Sequence, residues 1–197
     1  MAKENIEPTA TTASDGEGPT AEAAALPLVA ILRGVQPQEV EDIGEALLES
    51  GFNTIEVPLN SPDPLESIYR LATRFADQAV IGAGTVLSPA AVGEVADAGG
   101  QLIVMPHSDA TVIREAKSRG LGCMPGVATP TEAFAALENG ADALKAFPAE
   151  ILPPSAIKAW LALGQIPVRL RVFMAADTDQ VTTQKELDRL RELIFRS

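Results

Sequence analysis

Lys145 lies in the run Ala143-Leu144-Lys145-Ala146-Phe147-Pro148, an amine among apolar neighbours in a segment that reads as a buried strand. Desolvation disfavours the charged form of lysine and lowers its pKa, which suits an amine that must attack a carbonyl. The alternative is a strand-end lysine that lays its stem on apolar surface and keeps its ammonium in water. Glu56 is the one acid in Thr54-Ile55-Glu56-Val57-Pro58-Leu59. Its β-branched flanks suggest burial; at a sheet edge it would be an ordinary solvated carboxylate. A lysine and a carboxylate meeting in one site suit imine chemistry, the amine forming the Schiff base and the carboxylate moving protons at the adjacent carbon.

Other polar residues stand at strand ends. Arg33 closes Ile31-Leu32-Arg33-Gly34, where a guanidinium can clamp a carboxylate or phosphate, or simply be solvated. Thr85 follows Gly82-Ala83-Gly84 and reads as a ligand contact or as a turn or capping hydroxyl. The two glycines imply close approach of backbone, for ligand access or for packing alone. Pro106 follows Met105 and either shapes a pocket wall or starts a loop; His107, next to it, reads first as a loop residue and second as a substrate contact. His107 is the one histidine and Cys123 the one cysteine, so a three-histidine zinc site and an intrachain disulfide are excluded. Cys123 reads as a small buried strand residue.

The elements that must position these groups follow a repeating rhythm. Short apolar runs alternate with helical patterns from Leu26 onward, as in βα units around a parallel sheet. Strands are expected at Leu28–Leu32, Thr54–Leu59, Ala79–Gly84, Leu102–Met105, Leu121–Met124 and around Lys145, each followed by a helix. Ser88 with Pro89, and Thr129-Pro130-Thr131-Glu132, are helix-start signals, the latter a capping box. Six such units in residues 26–164 favour a (β/α)8 TIM-barrel type over a doubly wound sheet, and no G-x-G-x-x-G opens a helix after the first strand.

After residue 164 the rhythm changes. Residues 165–197 contain no glycine. Pro167–Phe173 is expected as a seventh strand with Arg169 and Arg171 on one face, Thr183–Glu186 as the cap of an amphipathic helix, and no eighth strand is evident. The barrel is therefore expected to be incomplete or altered at strands seven and eight. Residues 1–25 are rich in Ala, Thr and Glu and read as a disordered acidic tail.

Composition bounds the partners. The 197-residue chain is 46% hydrophobic and carries a net charge of −12, which permits a packed core and argues against nucleic acid or an anionic membrane surface as main partner. No run is apolar and long enough to span a membrane, and the start lacks a secretory pattern, so a cytoplasmic setting is expected.

The segments Leu28–Gly34, Thr54–Pro62, Ile81–Leu87, Leu102–Pro106 and Ala143–Glu150, in that order, resemble the 2-keto-3-deoxy-6-phosphogluconate/phosphogalactonate aldolase family. Ile31-Leu32-Arg33-Gly34 and Pro58-Leu59-Asn60-Ser61-Pro62 resemble its phosphogalactonate branch. The resemblance implies a class I aldolase that reversibly cleaves 2-dehydro-3-deoxy-6-phosphogalactonate into pyruvate and glyceraldehyde 3-phosphate. It implies Lys145 as Schiff-base lysine, Glu56 as general acid/base, Arg33 and Thr85 as substrate-holding residues, and Pro106 where stereochemical preference is set. It implies no metal, no cofactor and a homotrimer. The family's last strands end in glycine-rich segments that hold phosphate through backbone N–H groups; here Arg171–Asp177 stands in place of the first, with Asp177 and Asp179 close by, and nothing matches the second. Weak affinity for phosphorylated substrate is therefore expected. A catalytically impaired homologue serving as a subunit or binding protein, and a metal-dependent pyruvate aldolase using Glu56 and an aspartate, are the competing readings.

Overall fold

Runs such as Leu28–Ile31 and Thr54–Pro58 are buried at every position, which only a sheet covered on both faces allows. A computed structural model describes residues 28–162 and 172–174. The expected tail over 1–25, Arg169, Arg171, Asp177, Asp179 and the helix expected after Thr183 lie outside the described residues.

Strands and helices alternate as β1 (Leu28–Ile31), α1 (Val40–Glu49), β2 (Thr54–Pro58), α2 (Pro64–Phe75), β3 (Val80–Gly84), α3 (Pro89–Asp97), β4 (Leu102–Val104), α4 (Ala110–Ser118), β5 (Gly122–Met124), β6 (Gly126–Val127), α5 (Pro130–Glu138), β7 (Lys145–Ala146), α6 (Pro154–Leu161) and β8 (Val172–Met174). One sheet runs β5-β4-β3-β2-β1-β8, every pairing parallel, and β6 pairs with β7. The two sheets are one surface interrupted at Pro125, whose missing N–H cannot continue a ladder. Met105 N–H donates to the Met124 carbonyl at 3.1 Å, Gly126 N–H to the His107 carbonyl at 3.2 Å, and Lys145 N–H to the Pro125 carbonyl at 2.9 Å.

The six expected βα units are all present. The fifth strand differs from expectation in being broken at Pro125 into β5 and β6. The seventh strand is seated at Val172–Met174, directly against β1, with Leu28 opposite Val172. It therefore occupies the place of a closing stave. Among the described residues no ladder joins β7 to β8.

The helices cover this surface because their apolar residues recur on one side. In α2, Ile68, Leu71 and Phe75 are buried against the sheet, each worth about 1.5–3 kcal/mol of apolar transfer. Helix starts follow the sequence signals. Ser88 Oγ accepts from Ala91 N–H at 3.2 Å, and Thr129 with Glu132 forms the reciprocal capping box.

The stave carrying Lys145 is tied down at its start. One oxygen of Asp142 accepts the Cys123 N–H at 2.8 Å and lies 2.7 Å from Lys117 Nζ, which also donates to the Leu121 carbonyl at 3.0 Å. Replacing Asp142 leaves two donors without their acceptor. Asp142→Ala is expected to lower stability by about 1–2 kcal/mol, read as a lower urea midpoint at unchanged slope. An unchanged midpoint would show that this tie contributes nothing.

Candidate active site

Glu56 sits in the middle of β2, opposite Ile31 of β1 and Gly82 of β3. It is 2% exposed. The edge-strand alternative is thereby removed, and the reason is visible in the strand: Ile55 and Val57 are buried on one face, and the face that Glu56 shares is covered as well. Its carboxylate lies against the Cα of Gly84, where a Cβ would come 2.7 Å from Glu56 Cδ and closer still to Oε2. Gly84 makes room for the acid. Gly82 has a different cause, since its Cβ would strike the carbonyl of Leu102 on the neighbouring strand.

Burial raises the Glu56 carboxyl from 4.5 to about 7, opposed by the positive charges of Lys145 and then Arg33. Its Oε2 makes no hydrogen bond to the protein. Lys145 responds in the opposite sense. It is half-buried, and desolvation lowers its pKa; Glu56 opposes that shift and Arg33 adds to it. The Lys145 ammonium lies 4.9 Å from the centre of the Phe147 ring, a cation–π contact. A buried acid raised to about 7 and an amine whose pKa is lowered, each within the other's field, suit proton exchange with a substrate.

The other expected residues lie just past the ends of β1, β3 and β4. Arg33 stands just past β1, exposed, and close enough to act on both charges. Thr85 follows Gly84 and is half-buried, with φ of 57°. A β-branched residue in the left-handed region costs energy, and such strain persists where the surroundings hold the side chain in place. Ser88, not Thr85, caps the following helix. Pro106 is half-buried past β4, and its carbonyl oxygen would lie 2.5 Å from a Cβ on Gly126, the register partner of Lys145. His107 follows in the same loop, its Nδ1 buried without a hydrogen-bond partner.

Cys123 is buried, 4.0 Å from Met105 Sδ, and burial pushes its thiol up to about 12, which fits packing and not nucleophilic chemistry. Among the described residues no three His, Cys, Asp or Glu side chains are grouped to hold a metal, and no helix is long and apolar enough to cross a membrane.

Two neighbours of the site were not singled out from sequence. Phe147 was recoverable, because residues two apart on a strand share a face. Ser61, which bonds to the backbone beside Arg33, had no local signal.

A family model described as KDPG and KHG aldolase matches residues 20–171. The chain belongs to this aldolase family. Residues 172–197 fall outside the match. Among its relatives, a Rhizobium meliloti (strain 1021) protein named "Probable 2-dehydro-3-deoxy-6-phosphogalactonate aldolase" is 53% identical over 79% of this chain and 72% of its own length. The 2-dehydro-3-deoxy-6-phosphogalactonate aldolase of Escherichia coli (strain K12) is 47% identical over 75% of this chain and 71% of its own length. A solved structure titled "Native KDPGal structure" is 46% identical, covers 77% of this chain and 72% of its own, and superposes with a TM-score of 0.71. The KDPG aldolase of Legionella pneumophila, solved with pyruvate captured as a covalent carbinolamine, is 25% identical, covers 85% and 78%, and has a TM-score of 0.67. The TIM-barrel type of the aldolase family is thus the fold of this chain, its described staves joined by parallel ladders.

Proposed function

We propose that the chain is a class I aldolase that cleaves 2-dehydro-3-deoxy-6-phosphogalactonate to pyruvate and glyceraldehyde 3-phosphate. The observation that carries this reading is the placement of Glu56, buried on β2 against Gly84, within the field of Lys145. The neutral Lys145 amine adds to the C2 ketone, and the carbinolamine takes up one proton from solvent and loses water to give the iminium. The C4 hydroxyl gives its proton to Glu56 as the C3–C4 bond breaks, and those electrons pass into the iminium, which becomes an enamine as the aldehyde leaves. Glu56 returns the proton to C3, which regenerates an iminium, and water hydrolyses it to release pyruvate, the Lys145 amine and the proton taken up from solvent. Arg33 holds the substrate carboxylate, Thr85 holds the substrate beside Glu56, and Pro106 forms the wall that fixes which face is presented.

The reading is tested by coupled assay of aldehyde release with wild-type protein and with Lys145→Ala; release that is equal in both would end it. Excess chelator is expected to leave the activity unchanged. Assembly as a homotrimer in the cytoplasm accompanies this reading, and light scattering reads the mass directly.

The absence of glycine from residues 165–197 bears on the phosphate. Half-saturation by the phosphorylated substrate is expected well above the low-micromolar range, while pyruvate alone still forms its adduct. A low-micromolar Michaelis constant would show that phosphate is gripped by other means.

The buried acid also predicts how stability depends on pH. A carboxyl raised from 4.5 to about 7 on folding contributes fully below its unfolded value, and that contribution is lost as pH rises through the folded one. The loss amounts to about 3 kcal/mol between pH 4.5 and 7. Asp109 and Glu132, whose hydrogen bonds lower their pKa values, act in the other direction and at lower pH. Lys145 changes stability only as pH rises above its lowered pKa, where it adds. Urea midpoints are therefore expected to fall from pH 5 to pH 7.5 in the wild type and not to fall in Glu56→Gln. Parallel curves would mean that Glu56 is ionised in the fold at both ends of the range.

A further inference from the structure

The loop between β2 and α2 reaches back to β1. Ser61 is 8% exposed, and its Oγ accepts the Gly34 N–H at 3.1 Å and lies 3.5 Å from the Leu32 carbonyl, at the outer limit of a hydrogen bond. Leu32 and Gly34 flank Arg33, so one hydroxyl brackets the backbone of the residue that bears the guanidinium.

The loop that carries this hydroxyl is stiff. Ser61 N–H donates to the Pro58 carbonyl at 2.9 Å, and Leu59 N–H to the Gly84 carbonyl at 2.9 Å. Pro62 and Pro64 fix two more φ angles, and Asp63 between them is held in the left-handed region at φ of 37°. The same loop leaves from the strand that carries Glu56, whose carbonyl accepts the Leu32 N–H at 2.9 Å. Arg33 is thus tied to the Glu56 strand on both sides: through Leu32 within the ladder, and through Ser61 beyond its end.

We propose that Ser61 is a positioning residue that holds Arg33 at a fixed distance from Glu56 and Lys145, and thereby sets affinity for the carboxylate of a 2-oxo acid. This rests on the aldolase reading and extends it to a residue that touches no substrate. Without the hydroxyl, Gly34 N–H loses its acceptor, and one of the ties that fix the backbone beside Arg33 is gone. The guanidinium would still bind carboxylate, but from a spread of positions, and that spread weakens binding more than it slows the covalent step.

The test is the pyruvate concentration dependence of adduct trapped by borohydride, measured in the full chain for wild type, Ser61→Ala, Arg33→Ala, the double variant and Ser61→Thr. Ser61→Ala is expected to raise the half-saturating pyruvate concentration about tenfold, with adduct at saturation unchanged within about twofold. In the Arg33→Ala background the same change is expected to add nothing beyond about twofold, because the residue it positions is gone. Ser61→Thr keeps the oxygen and is expected to recover most of the affinity. A merely structural serine would cost as much with Arg33 present as without it. Full additivity, wild-type affinity in Ser61→Ala, or Ser61→Thr as weak as Ser61→Ala each overturns the proposal while adduct on the wild type keeps the aldolase reading. No adduct on the wild type overturns both.

Discussion

Lys145→Ala is expected to lose aldehyde release by on the order of 10⁴-fold or more, the scale seen when a covalent nucleophile is removed. The size follows from what the amine supplies. A ketone is a poor electron sink until it becomes an iminium, and no other lysine can take over at this place, since Lys145 is the one described lysine whose charge acts on the buried Glu56. Lys145→Arg should lose as much, because a guanidinium keeps its proton at any working pH and cannot attack. The variant also changes the acid. With the nearby positive charge removed, nothing but Arg33 opposes the burial of Glu56, and its pKa should rise further above 7. A titration of Glu56 that moves down in Lys145→Ala would contradict the coupling, whatever the activity does.

Glu56→Gln should separate the covalent step from the proton transfers. Glutamine nearly matches glutamate in volume and fits over Gly84, so the site keeps its shape. Imine formation with pyruvate should persist, while exchange of the pyruvate methyl protons with solvent slows by about 10²–10⁴-fold, the usual contribution of a positioned acid or base. The pH dependence of imine formation should also move. Glu56 holds the Lys145 pKa up against desolvation, and removing that charge lets it fall, so the amine becomes reactive at lower pH. Exchange at the wild-type rate would remove Glu56 from the proton path.

How far such an arrangement can be read from sequence depends on the range of the interactions that make it. The buried staves were legible because a parallel sheet covered on both faces needs continuous apolar runs, and Leu28–Ile31 is one. Helix starts at Ser88 and Thr129 were legible because a cap acts within three residues. Glu56 was legible from its two β-branched neighbours. The break at Pro125 could have been anticipated from its missing N–H, but which strands it would divide depends on pairings with His107 and Lys145. The seating of Val172–Met174 beside β1 could not be read, because it joins opposite ends of the chain and nothing local specifies it. Thr85 runs against its own preference, since a β-branched residue does not choose a positive φ unaided. Ser61 is of the same kind: its partner Gly34 is 27 residues away, and a serine between two loop residues reads locally as nothing more than a turn.

The most direct measurement is to reduce the wild-type protein with borohydride in the presence of pyruvate and locate the added mass by peptide analysis. The chain has four other lysines, at Lys3, Lys117, Lys158 and Lys185, and these serve as internal controls. A reduced pyruvyl adduct confined to the peptide that contains Lys145 is the expected result. Label spread over the other lysines, or a peptide left unmodified at saturating pyruvate, would contradict the claim that this amine, beside an interior acid, forms the Schiff base.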